Sequence, residues 1–522
     1  MFKKHALFAL IAGTLYALGF PSFLGKTLLI TPIIGIGILL YLFEQELNLK
    51  QKLIRLTLFN LTFNTIGFYW ITSTLQEFGE LPFIVAFTLA LFFTFVITPH
   101  LYIFLGIQHF TQSKRSKLGF EINILLLTLS YTVCEYFIPQ QFPVMLGQPW
   151  AVIGEYLGFA NIGGIPFYTT FSLILIYNII QYLKDQRYSK FQLALLLAFI
   201  ILNPIVNTTK EQTAPKTLNM RLVQANISSF LKVDAEKGIY ASVGEVIRRY
   251  QSLSQKESQR PLDLIIWPET AYPYSIERDP KNIQLTELPI VFKDIALKHR
   301  SDLFIGGYDH KVTRKDYFKS EYNTNFHISP NGNLKDVYHK HILIPFGETL
   351  PFPHFINEML APMLSNISFF AEGERYSVFN TKSEHSFINT ICYEILKPEY
   401  VRDYLNSIEK RPHALINLTN DSWYGDTAEP EQHLFLTLWR SLEFDLPIIR
   451  STNTGISTIV NIHAQELKRL GVGITGNLDY TMELGKREAT LFQKFGFLNT
   501  IFLYFILFIF QILLLKYKHN ED

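Results

Sequence analysis

The run Phe387-Ile388-Asn389-Thr390-Ile391-Cys392-Tyr393-Glu394, with Lys397-Pro398-Glu399 close behind it, sets the architecture of this chain. Apolar residues lead straight into a thiol, and the Pro then marks a helix start. Such a strand-to-helix elbow predicts an α/β layered domain with active groups at strand ends. A thiol attacks a carbonyl only as its thiolate, so it needs a base nearby and a cation for the developing oxyanion. Two more residues close strand-like apolar runs. Glu269 stands in Trp267-Pro268-Glu269-Thr270 and Lys340 in Tyr338-His339-Lys340. Glu269, Lys340 and Cys392 are therefore the expected catalytic trio.

Around these residues strands are expected at 219–227, 262–267, 303–308, 325–329, 337–344, 386–392, 414–418 and 448–460. Helices are expected at 235–255, 288–299, 398–407 and 431–444, the last opening after Glu429-Pro430. No internal repeat, low-complexity tract or phosphate-cradling glycine motif appears.

Composition gives this domain an unusual setting. Of 522 residues 48% are hydrophobic and 15% aromatic, and the net charge is only +2. The apolar residues concentrate in eight runs, at 6–20, 27–43, 53–71, 83–105, 122–137, 165–182, 191–206 and 497–515. Most approach the roughly 20 residues that cross a bilayer. The first run follows Lys3 and Lys4 as a signal peptide would. No small-x-small cleavage site follows and further spans come at once, so it is expected to stay as an anchor.

Loop charges orient the spans. Lys3 and Lys4, then Lys50, Lys52 and Arg55, then Lys114, Arg115 and Lys117, then Lys184, Arg187 and Lys190 alternate with loops almost free of Lys and Arg. By the positive-inside rule these loops are cytoplasmic. Seven spans then carry the chain outside, and the eighth returns it to Lys516-Tyr517-Lys518. The expected domains are residues 1–212 as a bundle of about seven helices, 213–487 as an extracytoplasmic catalytic domain, and 488–522 as a final helix with a short tail. The segment 137–166, rich in Pro, Gly and aromatics, is expected to form part of a lipid entrance on the outer side.

Of the two cysteines, Cys134 falls within the fifth span and Cys392 is alone in the outer domain. A solitary thiol in an oxidising compartment points to a use. Taken by itself, such a residue also packs as a small inert hydrophobe.

The motifs as a set resemble those of the apolipoprotein N-acyltransferase family, a polytopic bacterial membrane branch of the nitrilase superfamily. The resemblance covers nearly the whole chain. It rests on Trp267-Pro268-Glu269-Thr270, on Tyr338-His339-Lys340 with Leu343-Ile344-Pro345-Phe346-Gly347-Glu348, and on Ile391-Cys392-Tyr393-Glu394-Ile395. Asn420-Asp421-Ser422-Trp423-Tyr424-Gly425, Gln432-His433, Arg440 and Arg450-Ser451-Thr452-Asn453-Thr454-Gly455-Ile456-Ser457 extend it. One departure stands out: after Gln224-Ala225-Asn226-Ile227 the family often has a Lys-Trp pair where this chain has Lys232-Val233, with Phe230 nearby as a substitute aromatic.

The resemblance implies a nitrilase-like α-β-β-α sandwich inserted in a helical membrane bundle of the bacterial inner membrane, facing the periplasm. It implies a ping-pong acyl transfer from a phospholipid through a Cys392 thioester to the α-amine of a diacylglyceryl-cysteine on an apolipoprotein. Glu269 would be the base, its pKa raised by shielding, with Lys340 and the Tyr393 N–H meeting the oxyanion. Glu348 is expected to support Lys340 or meet the amine, and Glu394 either faces the cavity or orients the loop. Trp423 either lines a lipid mouth or packs the core. No cofactor, metal or nucleic-acid partner is expected, and the chain is expected to act as a monomer. His339-x-His341 has no evident third metal ligand, and Arg440 with Glu443 reads as a surface pair. Two rival readings are a membrane-tethered amidohydrolase with water as acceptor and a non-catalytic lipoprotein-binding protein.

Overall fold

The computed structural model describes residues 2–521 apart from 26, 46–47, 78–80, 116–117, 207–211, 280–281, 311–320, 346, 351 and 361–368. Lys117 of the basic loops and Phe346 of the lysine motif thus lie outside the described residues. The chain divides into two compact units, Met1–Thr209 with Thr427–Phe444 and Thr490–Asp522, and Lys210–Asp426 with Asp445–Ala489.

The first unit is helical. Its helices include Phe2–Ala17, Ile30–Phe43, Leu49–Gly67, Pro99–Arg115, Phe120–Phe137, Ala160–Asp185, Lys190–Val206 and Leu498–Glu521. Among the described residues three stretches are long and apolar enough to cross a membrane: Phe83–Arg115, Ala160–Asp185 and Leu498–Tyr517. His5–Ala17, Ile30–Phe43 and Lys190–Val206 are apolar but shorter. The run expected as one span at 83–105 is broken by a 3-10 turn at Phe93–Phe95, and a new helix starts at Pro99, the position where Pro best fits a helix. Large apolar side chains face outward, Ile84 being 76% exposed and Phe110 74% exposed. A contiguous apolar exterior marks a surface that meets lipid or protein.

The segment Thr427–Phe444, expected within the outer domain at 213–487, belongs to this helical unit. Its polar groups explain why. The Trp70 indole donates to Gln432 at 3.0 Å, the Gln148 amide to the Phe435 carbonyl at 3.1 Å, and the Trp439 indole to the Gln148 carbonyl at 2.8 Å. The helix expected at 431–444 runs as two, Glu429–Thr437 and Trp439–Phe444. Arg440 and Glu443, read as a surface pair, are both buried and 2.7 Å apart. Glu443 also accepts from Ile165 N–H at 3.3 Å, where Gly164 takes φ +61° and leaves no room for a Cβ beside Phe492. In the 137–166 segment Phe142 packs on Phe68 and Trp70, with ring centroids 5.6 and 5.4 Å away.

The second unit carries two sheets among its described residues. The strands are β1 (Thr213–Gln224), β2 (Leu264–Trp267), β3 (Ser275–Ile276), β4 (Asp302–His310), β5 (Glu321–Ile328), β6 (Leu334–His339), β7 (Phe379–Asn380), β8 (Ser386–Ile391), β9 (Ala414–Thr419), β10 (Ile448–Thr452), β11 (Ser457–Val460), β12 (Glu466–Leu470) and β13 (Gly476–Lys486). One sheet has the order β13-β1-β2-β4-β5-β6 with β3 on β4, and the other β12-β11-β10-β9-β8-β7. Each holds a parallel centre, β1-β2-β4 or β8-β9-β10, flanked by antiparallel strands. Parallel strands need crossover helices and are covered on both faces. Helices Tyr240–Ser254 and Ile290–His299 bury Val246, Tyr250 and Phe292 on the first sheet. Helix Pro398–Ser407 buries Val401 and Tyr404, and the Tyr404 hydroxyl meets the β8 amide of Asn389 at 3.4 Å. The two sheets meet face to face through Phe304 and Phe387, 5.7 Å apart, and an Asn325 to Asn389 hydrogen bond of 2.9 Å. This is the expected α-β-β-α sandwich.

Candidate active site

Lys340 and Cys392 follow directly on a strand, and Glu269 stands one residue further from its own. Glu269 lies just past β2, Lys340 just past β6 and Cys392 just past β8. The carboxyl ends of strands are where open α/β sheets hold their ligands; β2 and β8 belong to the parallel centres, and β6 pairs antiparallel with β5.

Glu269 and Glu348 are clamped by the same two donors. Lys340 Nζ donates to Glu269 Oε1 at 3.2 Å and to Glu348 Oε1 at 2.8 Å. Asn323 Nδ2 donates to the same oxygens at 2.8 and 3.2 Å. The free oxygens are held by backbone, Glu269 Oε2 by Asn420 N–H at 2.9 Å and Glu348 Oε2 by Ile344 N–H at 2.9 Å. Two carboxylates on one ammonium leave the cluster short of positive charge, and every member is buried.

Burial pulls the Lys340 ammonium down, but Glu269, Glu348 and Cys392 more than offset this and hold its pKa above the usual lysine range. The Cys392 thiol is raised well above its ordinary value by burial first and the Glu269 charge second, against the lowering effects of Lys340 and of a hydrogen bond with Thr419. A thiol raised in this way needs a neighbouring base before it can act as a nucleophile.

Cys392 has φ +54°, a conformation worth about 1–2 kcal/mol of strain in a residue with a Cβ. It opens the short 3-10 helix Cys392–Leu396. Glu394 lies two residues on and turns to the backbone. Its Oε2 accepts from Ile391 N–H and the Tyr338 hydroxyl, both at 2.7 Å, and its Oε1 from His341 N–H at 2.5 Å and Ile342 N–H at 3.1 Å. It thereby ties the cysteine elbow to the segment carrying Lys340. Burial raises its pKa to about 7 against the pull of these donors.

The remaining expected residues take separate places. Tyr393 is buried, with the Lys397 ammonium 4.7 Å from its ring centroid. Trp423 is half-buried, and Lys232 Nζ lies 6.0 Å from its ring centroid. Lys232 also bonds the Thr270 hydroxyl next to Glu269. Val233, at the departure from the family pattern, is half-buried, whereas Phe230 is 74% exposed. His339 donates to Asp309 at 2.6 Å and His341 stacks on Tyr376 with centroids 4.9 Å apart, so the two imidazoles serve different neighbours.

Sequence reasoning missed Asn323, the second clamp on both glutamates. Its signal was present: Tyr322-Asn323-Thr324-Asn325-Phe326-His327 places polar side chains at alternate positions of a buried strand, where each needs a partner. Asn420 enters through its backbone, and its side chain is held by Asn453 Nδ2 at 3.0 Å. Asn453 Nδ2 also reaches the Ile227 carbonyl at 2.8 Å, so two distant motifs meet in this one amide.

Known proteins match in the same two parts. The carbon-nitrogen hydrolase family matches residues 220–482, and the apolipoprotein N-acyltransferase N-terminal domain matches residues 12–180. An apolipoprotein N-acyltransferase of Bdellovibrio bacteriovorus is 32% identical over 458 residues, 82% of this chain and 80% of its own. The chain belongs to the apolipoprotein N-acyltransferase family. Members from Haemophilus influenzae, 26% identical over 503 residues, and Geobacter metallireducens, 25% identical over 480, cover 91% and 88% of this chain and 88% and 85% of their own lengths. The matches to apolipoprotein N-acyltransferases thus extend over residues of both units.

Proposed function

We propose that this chain transfers an acyl group from a membrane phospholipid, through a thioester on Cys392, to the α-amine of the N-terminal diacylglyceryl-cysteine of an apolipoprotein. The carrying observation is the shared clamp on Glu269 and Glu348 by Lys340, electrostatically coupled to a strained, buried thiol, in a chain whose relatives bear that name.

In the first half-reaction Glu269 takes the thiol proton and the thiolate adds to an ester carbonyl. Lys340 and the Tyr393 N–H meet the oxyanion. The tetrahedral intermediate collapses with loss of the ester oxygen, which takes the proton from Glu269 and leaves as lysophospholipid. In the second half the lipoprotein amine attacks the thioester, Glu269 accepts its proton, the C–S bond breaks and the proton returns to sulfur. An amide and the free thiol result.

The eight spans are part of the same proposal, with the catalytic domain, 213–487 without the helical-unit segment Thr427–Phe444, on the periplasmic side of the inner membrane. Alternating basic loops support that orientation. A cleft of about 280 Å³ in the helical unit, walled by Phe68, Phe83, Phe87 and Leu91, offers apolar surface of the kind an acyl chain requires. One chain holds the whole set of site residues, which supports a monomer.

Intact-protein mass spectrometry of the detergent-purified enzyme with phospholipid, then with a diacylated lipopeptide, tests both halves. The expected outcome is an acyl-sized adduct absent from Cys392→Ala that moves to the peptide amine. An adduct released to water with the lipopeptide unmodified would favour the amidohydrolase reading, and no adduct at all would remove the nucleophile.

A further inference from the structure

A cysteine at φ +54° stays there only where its surroundings over-determine the backbone, and the neighbouring strand supplies the means. Asn417 Nδ2 lies 3.3 Å from the Cys392 carbonyl, 3.1 Å from Thr390 Oγ1 and 3.4 Å from the Thr390 carbonyl. One amide thus grips the chain on both sides of Ile391. An Asn side chain does this in only one of its two amide orientations, because its other end is an acceptor. Arg450 fixes the choice. Its Nη1 donates to Asn417 Oδ1 at 2.6 Å, which turns the NH₂ group toward the elbow. Its Nη2 donates to Asp421 Oδ2 at 3.2 Å, and neither side chain of that pair is exposed. The parallel register sets Thr390 opposite Asn417 and Asn417 opposite Arg450, so the three residues form a single rung across β8, β9 and β10.

We propose that this rung is the positioning device that aims the Cys392 thiol and the Tyr393 N–H, with Asn417 as its working member. The inference rests on Cys392 being the nucleophile. Arg450 and Asn417 touch no reacting atom; they set the backbone from which the thiol projects.

The test uses the full-length detergent-purified enzyme and p-nitrophenyl butyrate, which needs only an aimed thiol. Thiolate attack forms the Cys392 thioester, breaks the ester C–O bond and releases p-nitrophenolate as a burst. Asn417→Ala is expected to slow the burst rate constant at saturating ester about 10- to 100-fold, the range that small misplacements of reacting groups produce. The half-saturating ester concentration should stay within about twofold, since ground-state binding is untouched. Arg450→Lys, which keeps a single donor for Asn417, should give a smaller loss. Should Asn417→Ala not fold, Asn417→Asp keeps the shape and the Arg450 pair while turning an acceptor toward the Cys392 carbonyl, and must slow the burst as well. A folded Asn417 variant that bursts at the parent rate overturns the inference. A parent that bursts with this ester but takes no acyl group from phospholipid leaves the inference standing and removes the proposed function. A parent without any burst overturns both.

Discussion

Cys392 is bracketed by charges of opposite sign, and each makes a separate prediction. Glu269 pushes the thiol pKa up and Lys340 pulls it down. Glu269→Gln should therefore move the pH midpoint of Cys392 alkylation by iodoacetamide downward, even as acyl transfer is lost. Lys340→Met should move it upward. The comparison is made in a Cys134→Ala background, and two shifts of the same sign would contradict the bracketing. Glu394 gives a stability signature. Its pKa in the fold is raised to about 7 from an ordinary 4.5, so the fold favours the protonated carboxyl. Its contribution is complete below that ordinary value and fades as pH rises through about 7, by on the order of 1–3 kcal/mol. Glu394→Gln removes the titration, so its thermal unfolding should lose this part of the pH slope. A variant with the parent's slope would mean that another group carries it.

At the scale of elements, the trio was legible because each member ends an apolar run, and strand ends are where α/β sheets present side chains. The clamp was not. Lys340 meets Asn323 only because β5 and β6 pair with Thr324 opposite His339, and register between strands leaves no mark in local sequence. Strands β12 and β13 escaped for a different reason. The Glu466–Leu470 strand is mostly exposed and charged, so it lacks the apolar run by which the others were found. The helix expected at 235–255 broke at Gly238, φ +78°, which ends Ser229–Glu236 before Tyr240 starts the next helix. Gly306 of β4 shows how closely one element holds another. A Cβ there would lie 2.0 Å from the Pro268 carbonyl oxygen and 2.8 Å from Glu269 Cα. Gly306→Ala must push the Glu269 segment off its strand, with overpacking worth about 1–3 kcal/mol. Acylation should fall more steeply than stability, because Glu269 would leave the Asn420 amide that orients it. Unchanged acylation in Gly306→Ala would show that the placement of Glu269 tolerates such movement.

At the scale of the whole molecule, hydropathy located the helical unit but not its full membership. Gln432 and Trp439 lie in a stretch that reads as part of the α/β domain, and only their long-range hydrogen bonds with Trp70 and Gln148 assign them to the helices. The orientation of the chain in the bilayer rests on charge alone, so it carries its own prediction. Lys114 opens a basic stretch read as cytoplasmic, while Lys256 lies in the domain read as periplasmic, and both are exposed. In a Cys134→Ala background, a membrane-impermeant maleimide applied to intact spheroplasts should label Lys256→Cys at once. Lys114→Cys should react only after the membrane is opened. Equal labelling of the two would overturn the orientation, and with it the reason for fusing the domains. In the proposed reaction acyl donor and acceptor both keep their chains in the bilayer, and exposing a chain to water costs about 0.8 kcal/mol per CH₂. Under that proposal a thiol tethered beside the outer leaflet avoids the penalty.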